Sequence, residues 1–340
     1  MIQWQVLRRR LLLFLGIGLL VFLGLAVWGG IREVWKTFLG FRWVLMPLAL
    51  GFTALNYVLR WWKWHYYLQH LGIRDVGWYE SALLFTAGMT MAVTPGKLGE
   101  VFKSYLLKRL NGTPISLSAP IVVAERLTDG LGMLLIAGAA AGAAVPGFGE
   151  RSARLFLGVA IGLLLAAALL VLVAQNRRLA VRLLALAERF RVLRTASQPL
   201  STLCESTYQL LQWKPLLAMT LQSALSWFGE CIAVYYVLYG LGAAPGAATL
   251  WRGSFIFAAG TLLGLVSFLP GGLLVTDVSY AGLIHSLNLL DREGAATASF
   301  LIRLFTLWFG VSLGVLALFL LGRRLGSLDE SPEFRKRNML

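Results

Sequence analysis

What most constrains this chain is the recurrence of apolar runs close to the roughly 20 residues that a helix needs to cross a bilayer. Leu11 to Gly30, Val44 to about Tyr67, Ile115 to Ala144, Leu155 to Ala174, Pro215 to Tyr239 and Ala295 to Leu321 all read this way. Hydrophobic residues make up 58% of the chain and charged ones only 14%, so the fold class is an all-α polytopic membrane protein. The first run follows Arg8-Arg9-Arg10, is long, and has no small-residue cleavage site after it, so it reads as a retained span. Ile31 to Arg42 reads as a short interfacial piece, with Trp35, Phe38 and Trp43 at headgroup depth.

Two further apolar stretches are interrupted. Trp78 to Val93 enters the membrane, Thr94-Pro95-Gly96 breaks it, and Lys97 to Leu110 leaves. Trp251 to Leu269 enters, Pro270-Gly271-Gly272 breaks it, and Leu273 to Leu290 leaves. Proline removes a backbone donor and disfavours helix before it, and glycine permits a sharp turn. Broken backbone at membrane depth must be buried in protein or line a wet cavity, so both stretches are expected to be hairpins that re-enter or cross inside the bundle. A helix starting past such a break aims free N–H groups at the gap, a ready site for an anion.

The formal charge of +15 would suggest nucleic acid in a soluble protein, but here it fits basic loops on an anionic membrane surface. With both termini cytoplasmic and the hairpins not counted as crossings, most Lys and Arg fall on the cytoplasmic side of the inner (plasma) membrane. The polar segment Gln175 to Lys214, carrying Arg177, Arg178, Arg182, Arg189, Arg191 and Arg194, reads as a basic amphipathic surface helix. Arg60 and Lys63, set among Trp61, Trp62 and Trp64, read as an interfacial belt.

Ionisable residues inside spans are costly, by roughly 2.5 to 3.5 kcal/mol for an arginine at the centre, and should have partners. Arg126 is expected to pair with Glu125, Asp129 or Glu100, and Arg303 with Asp277 or Glu230. Candidate substrate-binding residues are Thr94, Gly96 and Lys97 at the first break, Gly271 and Gly272 at the second, and Arg126 and Arg303. Glu100, Glu125, Asp129, Glu230 and Asp277 are expected to hold the cations or couple protons. No catalytic residue is assigned, and no cofactor or metal is expected: the histidines lack ligand spacing, and no P-loop, dinucleotide fingerprint or nucleophile elbow is found.

The chain also echoes itself. Pro95-Gly96-Lys97-Leu98 resembles Pro270-Gly271-Gly272-Leu273, and Arg126 and Arg303 follow their breaks at similar distances. The expected organisation is residues 1–43 as first span and interfacial helix, 44–144 as repeat 1 broken at 94–96, and 145–174 as a linking span. Residues 175–214 form the basic segment, 215–321 repeat 2 broken at 270–272, and 322–340 a cytoplasmic tail. The two repeats, each span, broken hairpin, span, start from opposite sides of the membrane and are therefore inverted.

Thr94 to Glu100 (TPGKLGE), the cluster Glu125, Arg126 and Asp129, Pro270 to Leu273 (PGGL) and the span carrying Arg303 together resemble the lysylphosphatidylglycerol synthase transmembrane region family. This is the flippase-like domain of aminoacyl-phosphatidylglycerol synthase/flippases, and the chain resembles a stand-alone member without the synthase domain. Where that pattern commonly reads PGGLGxxE, this chain has Leu274 and Asp277. The resemblance implies translocation of an anionic lipid or lipid-linked phosphate between leaflets. Two alternatives stand beside it: a membrane-embedded enzyme modifying lipid phosphates, and a non-transporting partner subunit of a lipid-modifying or glycosyl-transfer system. Expected partners are anionic membrane lipids, with a homo-oligomer or a lipid-modifying protein as further candidates.

Overall fold

The computed structural model describes residues 4–93, 100–144, 150–176 and 197–329, and every regular element among them is helical. The chain opens with α1 (Trp4–Gly29), then turns through 103° at Gly30, whose φ of 85° suits glycine, into the amphipathic α2 (Ile31–Leu39). The first half continues with α3 (Met46–His70), α4 (Trp78–Gly88) running into a 3-10 segment (Met89–Val93), α5 (Phe102–Asn111) and α6 (Ile115–Ala144). After α7 (Glu150–Gln175) and α8 (Ser197–Leu210) comes the second half: α9 (Trp213–Gly240), α10 (Ala247–Val266), a 3-10 turn (Pro270–Gly272) and α11 (Val275–Ser286). The last span joins α12 (Arg292–Arg303) to α13 (Phe309–Asp329) through a π-helical turn (Leu304–Trp308).

Trp43–His70, Leu157–Gln175, Trp213–Gly240, Ala247–Val266 and Arg292–Arg324 are each long and apolar enough to cross a bilayer, and the bent pair α1 and α2 adds a sixth candidate. In the first hairpin the entry arm is the 11-residue α4 continued by the five-residue 3-10 segment, while the exit arm α5 has 10 residues and extends only about 15 Å, half of a hydrocarbon core. In the second hairpin α10 has 20 residues and α11 only 12, so its arms are unequal.

Helices in lipid gain little from burying apolar surface against each other, and associate through small residues and interhelical hydrogen bonds. The seam between α3 and α9 shows both. Asn56 donates to the Ser226 carbonyl at 2.8 Å, Gln222 donates back to the Leu59 carbonyl at 2.6 Å, and a Cβ on Gly229 would stand 3.3 Å from the Phe52 carbonyl. Gly132 brings α6 onto the α9 backbone at Ala224, and Gly314 brings α13 onto α4 at Thr86. The core divides along α6: Ile121, Ala124 and Leu127 join a cluster with α3, α4 and α5, while Met133, Ile136 and Ala140 join one with α9, α10 and α12. At the centre, the 3-10 segments Met89–Val93 and Pro270–Gly272 touch.

The belt expected around Trp61 to Trp64 needs correction. Lys63 and Trp64 are fully buried in the bundle, because Lys63 finds hydrogen-bonding partners there, and of this group Trp62 is the residue that faces outward. Thr94, Pro95, Gly96 and Lys97 lie outside the described residues, as do the arginines from Arg177 to Arg194. The described part of the polar segment, α8, packs on α6 with Leu210 and Leu211 buried at its end.

Candidate functional site

At the second break the backbone is held by side chains. Gly271 and Gly272 are buried at φ 60° and 67°, and the non-glycine Leu274 takes φ 71° and ψ −60°. With the Val275 N–H bonded to the Leu273 carbonyl at 3.0 Å, these angles make Leu274 the centre of a three-residue γ-turn of the rare, positive-φ hand. One oxygen of Asp277 accepts the Leu274 N–H at 2.9 Å, capping the start of α11. The other oxygen meets Arg303 Nε at 3.0 Å, and Arg303 Nη2 donates to the Gly271 carbonyl at 2.7 Å. Arg303 thus ties the last span to the break, and Ser299 adds a bond to the Asp277 carbonyl at 2.9 Å. Immediately after Arg303 the helix widens into its π turn, and the Tyr57 hydroxyl on α3 donates to the Thr306 carbonyl within it. Such turns often occur at functional sites.

The first half contributes a denser network. Asp129 receives Lys63 at 2.5 Å, Arg126 at 3.1 Å and Arg60 at 3.7 Å, and Lys63 also donates to Ser223 at 2.7 Å. Arg126 reaches Glu100 at 3.1 Å as well. Lys103 pairs with Glu125 at 2.5 Å and sits 4.5 Å from the Trp64 ring centroid, while Arg60 lies 4.8 Å from that of Trp227. Asp129 faces three cations because α3 brings Arg60 and Lys63 to it, while Arg126 precedes it by three residues, about one turn, on α6. Arg126 Nε has no hydrogen-bond acceptor among the described residues.

Both networks border one cavity of about 120 Å³, room for several waters or one small anionic group. Arg60, Glu100 and Lys103 come to its wall from the first half, and Glu230, Gly271 and Arg303 from the second. Of the residues expected from sequence, Glu100, Glu230, Gly271, Gly272 and Arg303 therefore line the cavity. Arg126, Glu125 and Asp129 stand in the paired network around it, and Asp277 behind Arg303. The paired acids are among those expected: Asp129 and Glu100 for Arg126, Asp277 for Arg303. Sequence reasoning missed Arg60, Lys63 and Tyr57. Their signal was a helical one, Tyr57, Arg60 and Lys63 recurring at i, i+3 on one face of α3, and the flanking tryptophans obscured it.

Residues 15–314 match the family described as lysylphosphatidylglycerol synthase TM region. The chain belongs to this family. The match begins within α1 and ends within α13, so the whole site lies inside the lysylphosphatidylglycerol synthase transmembrane region. A UPF0104 membrane protein from Methanothermobacter thermautotrophicus is 24% identical over 319 residues, covering 89% of this chain and 91% of its own length. The family match fits a multi-pass membrane protein with a lipid-related role, and the relative is likewise a membrane protein.

Proposed function

We propose that this protein moves an anionic lipid, or a lipid-linked phosphate, between the leaflets of the plasma membrane, with both termini in the cytoplasm. The observation that carries this reading is one cavity walled, among the described residues, by charged groups from both halves and by the second hairpin break. Three cations, Arg60, Lys103 and Arg303, line it against two acids, Glu100 and Glu230, and an intramembrane ionisable cluster is functional by default. A phosphate entering the cavity would compete with Asp277 for Arg303 and with Glu100 for the neighbouring Arg126, exchanging one charge-assisted partner for another. Thr94, Gly96 and Lys97 would complete the site from the first break.

An inverted repeat fits the packing. The first spans of the two halves, α3 and α9, exchange side-chain to carbonyl bonds, the second hairpin packs on α6, and the first packs on α13. The test is reconstitution of the purified protein alone into vesicles carrying fluorescent phosphatidylglycerol in one leaflet. Loss of leaflet asymmetry at least about tenfold faster than in empty vesicles is the expected result. Asymmetry persisting as long as in protein-free vesicles would reject the proposal.

A further inference from the structure

A second hollow, of about 580 Å³, lies between α1 and the last span, walled by Leu15, Leu19 and Phe22 on one side and Phe300, Trp308 and Val315 on the other. Arg303 and Asp277 reach it too, and Arg303 also lines the central cavity, so one guanidinium stands between the two spaces. Gly18 lets the Trp308 ring close against α1 at the wall, since a Cβ there would stand 3.1 Å from that ring. Arg303 lies 11 residues beyond Arg292, the start of the span, which is about 16 Å along a helix and places it near the middle of a hydrocarbon core of roughly 30 Å.

What fills this hollow follows from its surroundings. Leu15 and Leu19 on its rim are 49% and 58% exposed in a helix at membrane depth, so the neighbouring medium is hydrocarbon. Apolar walls repel water, leaving a hydrocarbon chain as the filling, and the cation at the inner end selects what that chain is attached to. We propose that this groove holds an acyl chain of an anionic glycerophospholipid whose phosphate reaches Arg303, the headgroup entering the central cavity sideways from the bilayer while the tail stays in lipid. This inference rests on the lipid-transport reading and adds a site and a route to it: the ligand comes in between α1 and α12, past Arg303.

The full-length protein in nanodiscs would be exposed to phosphatidylglycerol or phosphatidylcholine carrying a photoreactive diazirine in mid-acyl chain, and labelled peptides mapped by mass spectrometry. Phosphatidylglycerol should label residues 15–25 and 300–315 at least about fivefold more than phosphatidylcholine, and Arg303→Gln should abolish that preference. Because Arg303→Gln strands Asp277 at a folding cost, Ser312→Trp provides a second variant. Ser312 lines the groove away from the ion pair, on an exposed position, and a tryptophan there should cut labelling by about fivefold while leaving thermal stability unchanged. Equal labelling by the two lipids would overturn the proposal, as would labelling indifferent to both variants, or crosslinks joining α1 of two copies in place of lipid adducts. Leaflet exchange measured on the same preparations separates the two inferences. Transport without selective labelling removes the groove and keeps the transporter; selective labelling without transport does the reverse.

Discussion

Leu274 takes backbone angles that cost a side-chain-bearing residue roughly 1 to 3 kcal/mol, and it does so one bond away from the Asp277 and Arg303 pair. Glycine would remove that strain and return part of the gain as unfolded-state entropy, roughly 0.5 to 1 kcal/mol. Leu274→Gly is therefore expected to raise stability by about 1 kcal/mol, read as a higher melting temperature in detergent, while Leu274→Ala, which keeps a Cβ, should not. Arg303 supplies a second expectation. Lysine keeps the charge but lacks the fork that meets Asp277 and the Gly271 carbonyl together, so Arg303→Lys should remain folded and lose most lipid transport. Arg303→Ala should destabilise by roughly 3 to 5 kcal/mol, with much of that restored in the double variant with Asp277→Asn, as thermal melts of the three proteins would establish. The pairing of Arg303 with an acid was legible from sequence, because few acids are near enough in the repeat. The departure at residue 274 was legible too, but its hand of turn was not, since that depends on Asp277 and the Val275 N–H closing around it.

Elements were readable where glycine and proline punctuate the chain, and less so where they do not. Pro270-Gly271-Gly272 marks its break correctly, whereas the π turn at Leu304–Trp308 contains neither residue and depends on a tyrosine from α3, a contact distant in sequence. Tyr57→Phe deletes the bond to the Thr306 carbonyl and leaves a buried acceptor, and should cost about 1 to 3 kcal/mol with a greater loss of transport than a surface change of equal size. Comparing its thermal melt and leaflet-exchange rate with those of Trp62→Phe, an outward-facing position, checks this. Packing at the α6 and α9 crossing depends on the absence of a side chain at residue 132, where a Cβ would come within 2.8 Å of the Ala224 nitrogen. Gly132→Val should force the helices apart at a cost of roughly 1 to 3 kcal/mol, seen as a lower yield of folded protein on size-exclusion chromatography. Lys63 was misjudged for an elementary reason: a cation among tryptophans at the end of a span has the composition of a membrane edge, and the partners that place it inside come from α6 and α9.

At the scale of the whole molecule, the proposed topology can be checked directly. Tags after both termini and within residues 175–214 should report the cytoplasm, and tags at Gly147 and Gly246 the opposite face, by accessibility to an impermeant reagent in whole cells. A cytoplasmic report from Gly246 would remove the inverted arrangement. The same arrangement gives the reciprocal bonds between α3 and α9 a mechanical meaning. Two amide side chains, each gripping the other helix's backbone carbonyl, join the halves along that seam, and its opening would leave polar groups bare in lipid. In the proposed transport cycle the seam would act as an axle. Any motion that keeps it shut must part the other walls, α4 from α13 on one side or α6 from α10 on the other, and the touching breaks at Met89–Val93 and Pro270–Gly272 then lie between the two swinging edges, where a small rotation at the axle changes which face of the membrane the buried arginines can see.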